Sequence, residues 1–342
     1  MAGSKGRVMT TPLFYQQLNK VLKREPAVVA TIVTVVGSAP RELGAKMAVY
    51  GDGQILGTIG GGAGEGTVIE RARIVLQEKQ EETPLARNQR VEIDLTGAPN
   101  KETQGVCGGK VEVWLEVWSG ERAIALVEQI LDALETGQSC VLVTPLLNDC
   151  PSYLDDGQVL ANQDCEHFVE ILQPPPVLLI VGGGHVAVAL AKSAHFAGFE
   201  IAVQDDRPDF ATPERFPQAS FLSQSISEAI AYFPAHAQRY VALVARGYSQ
   251  DIEVLTTLLQ HPVTYQYVGA IGSQKRIRMI YQAMQQQGIP LERLPHFHAP
   301  IGLDIGALTP EEIAISICAE LIKVRRGGTG RSLCQQMRSV LS

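Results

Sequence analysis

The segment of this chain best suited to chemistry is Gly182-Gly-Gly-His-Val-Ala187, directly after the apolar run Val177–Val181 and at the opening of a helical pattern. A G-x-G-x-x-A turn between strand and helix prepares a phosphate site. Gly182 permits the tight turn, Gly184 lets the backbone approach a pyrophosphate, and Ala187 allows close helix–sheet packing. The helix N-terminus adds free N–H groups and partial positive charge. Asp205 lies 23 residues after Gly182, at the end of the next apolar strand, where an acid usually holds a ribose 2′-OH. These features in register predict a site for a phosphate-bearing nucleotide or pterin ligand.

Weaker signals follow downstream. In Gly272-Ser273-Gln-Lys275-Arg276, Ser273 is a natural N-cap for a helix through Ile277, Ile280 and Met284. Lys275 and Arg276 then fall in the first turn, where the helix dipole disfavours cations. Either an anion binds there or the two side chains point into solvent. Pro300-Ile-Gly302-Leu-Asp304-Ile-Gly306 precedes Thr309-Pro-Glu-Glu312, a capping box with proline at N1. This places Asp304 in a loop at the end of a sheet, where ligands of α/β proteins sit. His296-x-His298 has strand-like spacing and no carboxylate near it in sequence, so no metal site is assigned.

The elements that must position these residues change grammar midway. The first part mixes helix and strand patterns: a helix over Leu13–Leu22, strands at Val28–Val36, Lys46–Tyr50 and Gln54–Gly57, and a helical run from Gly64 to Lys79 after Gly60-Gly61-Gly62. Strands at Val91–Leu95 and Lys110–Val117, an amphipathic helix over Glu121–Glu135 and a short strand at Ser139–Pro145 complete it. Residues 146–176 read as a polar, Pro-rich connection ending in Pro174-Pro175-Pro176, a stiff boundary. Beyond it strands and helices alternate, which implies a parallel, doubly wound sheet. The expected architecture is α/β: a smaller N-terminal α/β domain over 1–145, the connection, and a Rossmann-type domain over 177–342.

Bulk properties agree with a globular protein. The chain has 342 residues, 45% hydrophobic and 19% charged, which favours two domains. A net charge of −7 gives no generic pull toward nucleic acid or membrane. The N-terminus lacks a signal-peptide apolar region and no run reaches the length of a membrane span, so a soluble, cytoplasmic protein is expected. None of the six cysteines forms a C-x-x-C pair, which argues against a zinc or thioredoxin-like site.

Taken together, the motifs resemble the xanthine dehydrogenase accessory or maturation factor family (XdhC/CoxI). The resemblance runs through Gly37-Ser-Ala-Pro-Arg41 with Gly44-Ala-Lys46-Met47, Gly57-Thr-Ile-Gly60-Gly61-Gly62 with Glu65, and Cys107-Gly-Gly109. It continues through Gly182-Gly-Gly184-His185-Val-Ala187, Asp205-Asp-Arg207 and Arg246-Gly247 with Asp251. Gly269-x-Ile-Gly-Ser273 with Lys275, Pro300-Ile-Gly-Leu-Asp304-Ile-Gly306 and Thr309-Pro-Glu-Glu-Ile-Ala314 close it. It implies a chaperone that binds molybdenum cofactor, as molybdopterin or its dinucleotide form, protects it during sulfuration and assists its insertion into an apo-molybdenum hydroxylase. The implied partners are that hydroxylase and a sulfur-donating desulfurase, with a homodimer left open. The loop of Gly60, Gly61, Gly62 and Glu65, with Cys107 as the reactive thiol, would face the metal end.

Two positions depart from the family pattern. Ala63 stands where the family has cysteine, and Tyr248 follows Arg246-Gly247 where the family has histidine. Losing a soft thiolate weakens the case for metal ligation at the first loop. An NAD(P)-dependent oxidoreductase is the competing reading, since the Rossmann motif serves many functions. No Tyr-x-x-x-Lys, His–Asp or Cys–His pair stands out as its catalytic constellation.

Overall fold

The computed structural model describes residues 10–77, 88–97, 108–147, 150–155, 166–233, 238–261, 263–288 and 297–334. The chain divides into two compact units that meet in sequence at Pro174 and Pro175. Among the described residues no helix is long and apolar enough to cross a membrane.

The first unit opens with α1 (Thr11–Leu22), β1 (Ala27–Val36), β2 (Lys46–Tyr50), β3 (Gln54–Gly57), α2 (Gly62–Gln77), β4 (Gln89–Asp94) and β5 (Lys110–Trp118). Its sheet is antiparallel in the order β3-β2-β1-β5-β4. The central strand β1 is apolar on both faces because both are covered. Val28, Ala30 and Ile32 pack with Val68, Ala72 and Val75 of α2. Ala27 and Val29 pack with Phe14 and Leu18 of α1 and with Val127 and Ile130 of α3 (Gly120–Glu135).

The stretch 146–176, expected as a connection, carries two strands. β7 (Tyr153–Leu154) and β8 (His167–Leu172) flank β6 (Cys140–Pro145) in a three-stranded antiparallel sheet. The segment is held by its strand ladder, by Leu172 in the apolar core and by polar contacts. The Glu116 carboxylate of β5 is buried and accepts 2.6 Å hydrogen bonds from the Ser152 N–H and hydroxyl. Lys46 of β2 pairs with Glu170 of β8, both side chains largely shielded from water. Contacts of this kind join residues far apart in sequence, so local periodicity carries no trace of them.

The second unit alternates β9 (Val177–Val181), α4 (His185–Phe196), β10 (Glu200–Gln204), β11 (Ala219–Ser223), α5 (Ile226–Ala231), β12 (Arg239–Leu243), α6 (Tyr248–Gln260), β13 (Tyr267–Ala270), α7 (Gln274–Gln286), β14 (Phe297–His298) and α8 (Pro310–Arg326). The sheet is wholly parallel, in the order β11-β10-β9-β12-β13-β14. Numbered within the unit this is 3-2-1-4-5-6, the doubly wound dinucleotide-binding topology, with its switch point between β9 and β12. Alternate residues of the central strands feed two cores. Leu179, Val181, Val241 and Leu243 pack with residues of α6 and α7, whereas Leu178, Ile180, Tyr240 and Ala242 pack with residues of α4 and α8. The edge strand β11 and helix α5, which sequence periodicity does not reveal, are short and only partly buried.

α8 is bounded as its sequence prescribes. The Thr309 hydroxyl accepts from the Glu312 N–H, the Glu312 carboxylate accepts from the Thr309 N–H, and Gly327 closes the helix at φ 69°. Thr309→Ala should therefore lower the stability of this unit by about 1 kcal/mol, read from urea denaturation. An unchanged midpoint would mean the cap is not engaged in solution.

Candidate functional site

The switch point of the parallel sheet opens a cleft of about 220 Å³ at the C-terminal ends of β9, β10 and β12. Gly182, Gly184, Asp205, Asp206, Arg207, Ala245, Arg246 and Gln250 are among its lining residues. An adjoining hollow of about 300 Å³ continues past Gln204, Ser225 and Glu253. The first glycine is required twice over. Gly182 sits at φ 102°, and a Cβ there would stand 2.8 Å from the Ala245 backbone, so only glycine lets the β9 turn lie against the chain leaving β12. Gly184 is the N-cap of the 12-residue α4, offers no side-chain cap, and has open space where a Cβ would be. The helix N-terminus is thus open to an anion.

Asp205 is buried, and its carboxylate is turned onto its own chain. Oδ1 accepts from the Arg207 N–H (3.0 Å) and Nε (2.8 Å), and Oδ2 accepts from the Gly183 N–H (2.6 Å) and Arg207 Nη2 (2.7 Å). Burial by itself would raise this carboxyl, but the Arg207 and Gly183 hydrogen bonds and the Arg207 charge outweigh it and hold the pKa below the ordinary aspartate value. The Arg207 guanidinium carbon lies over the Phe210 ring, 3.3 Å from its centroid, and those of Arg215 (5.0 Å) and Arg246 (5.4 Å) are near the same ring. Arg215 donates to the Gly183 carbonyl at 2.7 Å. Among the described residues Arg246 has no carboxylate partner, and it is exposed at the cleft.

Arg276 accounts for the cation at the start of α7 in a way the sequence did not suggest. Its charge is met by a carboxylate of the protein itself. Its Nε and Nη2 lie 2.9 and 2.6 Å from Oδ2 of the buried Asp251, and its other bonds go to the carbonyls of Ala245 and Arg246. The pair therefore braces the loop that carries Arg246. Ser273 caps α7 by accepting from the Arg276 N–H, while Lys275 is exposed. Ser273, Lys275 and the exposed Asp304 do not line the cleft, and His185 is an exposed first residue of α4. His296 lies outside the described residues. His298 gains the carboxylate missing from its sequence neighbourhood: Nδ1 is 3.3 Å from Glu320 of α8, which also accepts from Tyr267 and the Gly302 N–H.

In the first unit three motif segments converge at one end of the sheet. A Cβ on Gly109 would overlap the Ser38 carbonyl, and one on Gly60 would stand 2.6 Å from Pro40. Gly61 and Gly62 face open space, with Ala63 exposed beside them at the start of α2. Oε2 of Glu65 accepts from the Thr58 hydroxyl (2.5 Å) and the N–H groups of Ile59 (3.0 Å) and Gly61 (3.1 Å). Burial again acts to raise the carboxyl, and these hydrogen bonds lower it below the usual glutamate value. Cys107 lies outside the described residues, next to Gly108.

The Asp205 clamp has a pH signature. Its folded pKa is depressed, so its stabilisation is full above the ordinary value of 3.8 and is lost as the pH falls below that value through the folded one. Asp205→Asn should lower the stability of the unit at neutral pH by roughly 1.5 kcal/mol, the low end for charge-assisted bonds because Arg207 is a third exposed. The gap between variant and wild type should close as urea titrations move below about pH 4. A gap independent of pH would refute the clamp.

Comparison with known proteins covers both units. Residues 178–321 match the model of the XdhC Rossmann domain, and residues 21–87 match that of the XdhC and CoxI family. Escherichia coli YqeB is 29% identical over 307 residues, 89% of this chain but 44% of YqeB, so the chain spans less than half of that relative. A Bacillus subtilis protein whose name makes it a probable component of xanthine dehydrogenase is 29% identical over 92% of this chain and 98% of its own. The E. coli molybdenum cofactor insertion chaperone PaoD is 23% identical over 87% of this chain and 83% of its own. A crystal structure described as a xanthine dehydrogenase from Bacillus halodurans superposes with a TM-score of 0.75 at 28% identity, covering 93% of this chain and 98% of that one. With one family model in each unit, the glycine motifs in order and relatives aligned along most of its length, the chain belongs to the XdhC and CoxI family.

Proposed function

We propose that this protein is a maturation factor that binds molybdenum cofactor and delivers it to a molybdenum hydroxylase of the xanthine dehydrogenase type. The observation that carries the reading is the cleft at the switch point. There the uncapped N-terminus of α4 and Arg246, an arginine without a carboxylate partner among the described residues, lie beside a glycine turn. The cofactor's terminal phosphate, or the pyrophosphate of its dinucleotide form, supplies the charge that such a place lacks. The PaoD and B. subtilis relatives, by what their names state, support the cargo and the client.

In this reading the division of labour follows from residue chemistry. The N–H groups at the start of α4 and the Arg246 guanidinium hold the phosphate end, while Asp205, Arg215 and the Asp251–Arg276 pair keep the surrounding loops in place. The glycine loop at residues 60–62, braced by Glu65, and Cys107 are assigned to the metal end, whose sulfuration would involve a sulfur-donating desulfurase. A thiolate is a fitting soft donor for molybdenum. The protein's own task is to bind, shield and release rather than to turn over substrate.

Gly184→Asp separates binding from folding. The position has ordinary negative φ and open space, and aspartate is a good N-cap, so the thermal midpoint should stay or rise. The new carboxylate would fill and repel the phosphate place, and calorimetry with molybdopterin should show at least a roughly tenfold loss. Undiminished binding would move the ligand elsewhere. For the metal end, Cys107→Ser should lower bound molybdenum and client activation in a reconstituted assay, and Ala63→Cys should raise both. Wild-type behaviour of both variants would leave the phosphate end as the sole grip.

A further inference from the structure

The sequence rule assigns a ribose hydroxyl to the acid at the end of the second parallel strand, which is Asp205. A carboxylate has about four acceptor directions, and all four are used here. Two are taken at Oδ1 by the Arg207 N–H and Nε, and two at Oδ2 by the Gly183 N–H and Arg207 Nη2. No acceptor is left for a ligand, and releasing one would loosen the glycine turn that holds the phosphate.

The next residue is placed differently. Asp206 is exposed and lines both the cleft and the adjoining hollow. Its Oδ1 accepts from Gln250 Nε2 of α6 at 3.0 Å, which fixes the carboxylate, while its Oδ2 has no hydrogen-bond partner among the described residues. We infer that Asp206, held by Gln250, is the acid that reads a sugar hydroxyl in this cleft, so that the ligand is a nucleotide rather than a bare phosphate ester. This rests on the phosphate-cleft reading above. Charge favours the same ligand: a phosphate alone would only repel an ionised Asp206, whereas the vicinal hydroxyls of a ribose offer it two donors. The cleft then reads charge at the turn and Arg246, and sugar at Asp206.

The test uses nucleoside diphosphates with and without the diol. The full chain is titrated calorimetrically with ADP, CDP, their 2′,3′-dideoxy analogues and inorganic pyrophosphate. Wild type should bind the better of ADP and CDP roughly tenfold or more above its dideoxy analogue. In Asp206→Ala that ratio should fall to about one with pyrophosphate binding kept or improved, because the change removes a diol acceptor and a repelling charge. In Asp205→Asn every ligand should weaken by a similar factor with the ratio preserved. Asp206 is exposed, so its variant should fold even if Asp205→Asn does not. A wild-type ratio near one, or a ratio that survives Asp206→Ala, overturns the assignment while leaving the phosphate site standing. Failure of all the diphosphates and pyrophosphate to bind overturns the phosphate-cleft reading and the assignment with it.

Discussion

The second unit is organised around the contact between the β9 turn and the chain leaving β12. There the Gly182 Cα lies so close to the Ala245 backbone that no side chain fits between them. That approach is what a doubly wound sheet requires at its switch point, because the two strands that diverge in connection must still be neighbours in pairing. The rest of the cleft follows from it. The Gly183 N–H is turned toward Asp205, the Gly183 carbonyl toward Arg215, and the α4 N-terminus toward open space. On the opposite wall the Ala245 and Arg246 carbonyls are caught by Arg276, which the buried Asp251 holds.

The arginines around the cleft divide by partner. Arg207 answers Asp205, Arg215 answers a carbonyl, and Arg276 answers Asp251 and two carbonyls, so each is neutralised or used within the fold. Arg246 is left facing the cleft. Arg207, Arg215 and Arg276 are only partly exposed and are held by groups of the fold, whereas Arg246 is exposed and lines the cleft. Charge alone would not have distinguished them.

The same device recurs in the first unit. Glu65 turns one carboxylate oxygen onto the N–H groups of Ile59 and Gly61, as Asp205 does onto Gly183. In both loops the glycines adopt conformations that leave backbone N–H groups without the usual helix or sheet partners, and a neighbouring acid satisfies some of them. The loop becomes rigid, and the N–H groups that remain can serve a ligand.

The sequence by itself determined the element grammar and the glycine turn that lines the candidate site. The apolar run Val177–Val181, the G-x-G-x-x-A turn, the Thr309–Glu312 cap and the alternation of strand and helix are local patterns, written in periodicity and backbone-permissive residues. They specified a parallel α/β unit with a glycine turn between its first strand and first helix. What only the tertiary structure decided is where each polar side chain turns. It brought Glu116 and Lys46 to residues 152 and 170 and paired an apparent linker into a sheet. It gave Arg276 to Asp251, Glu320 to His298, and all of Asp205 to its own loop. These partners lie 2 to 124 residues apart along the chain. Hydrogen bonds and ion pairs depend on distances of about 3 Å, and a spacing in sequence fixes such distances only within a helix, a strand or a tight turn.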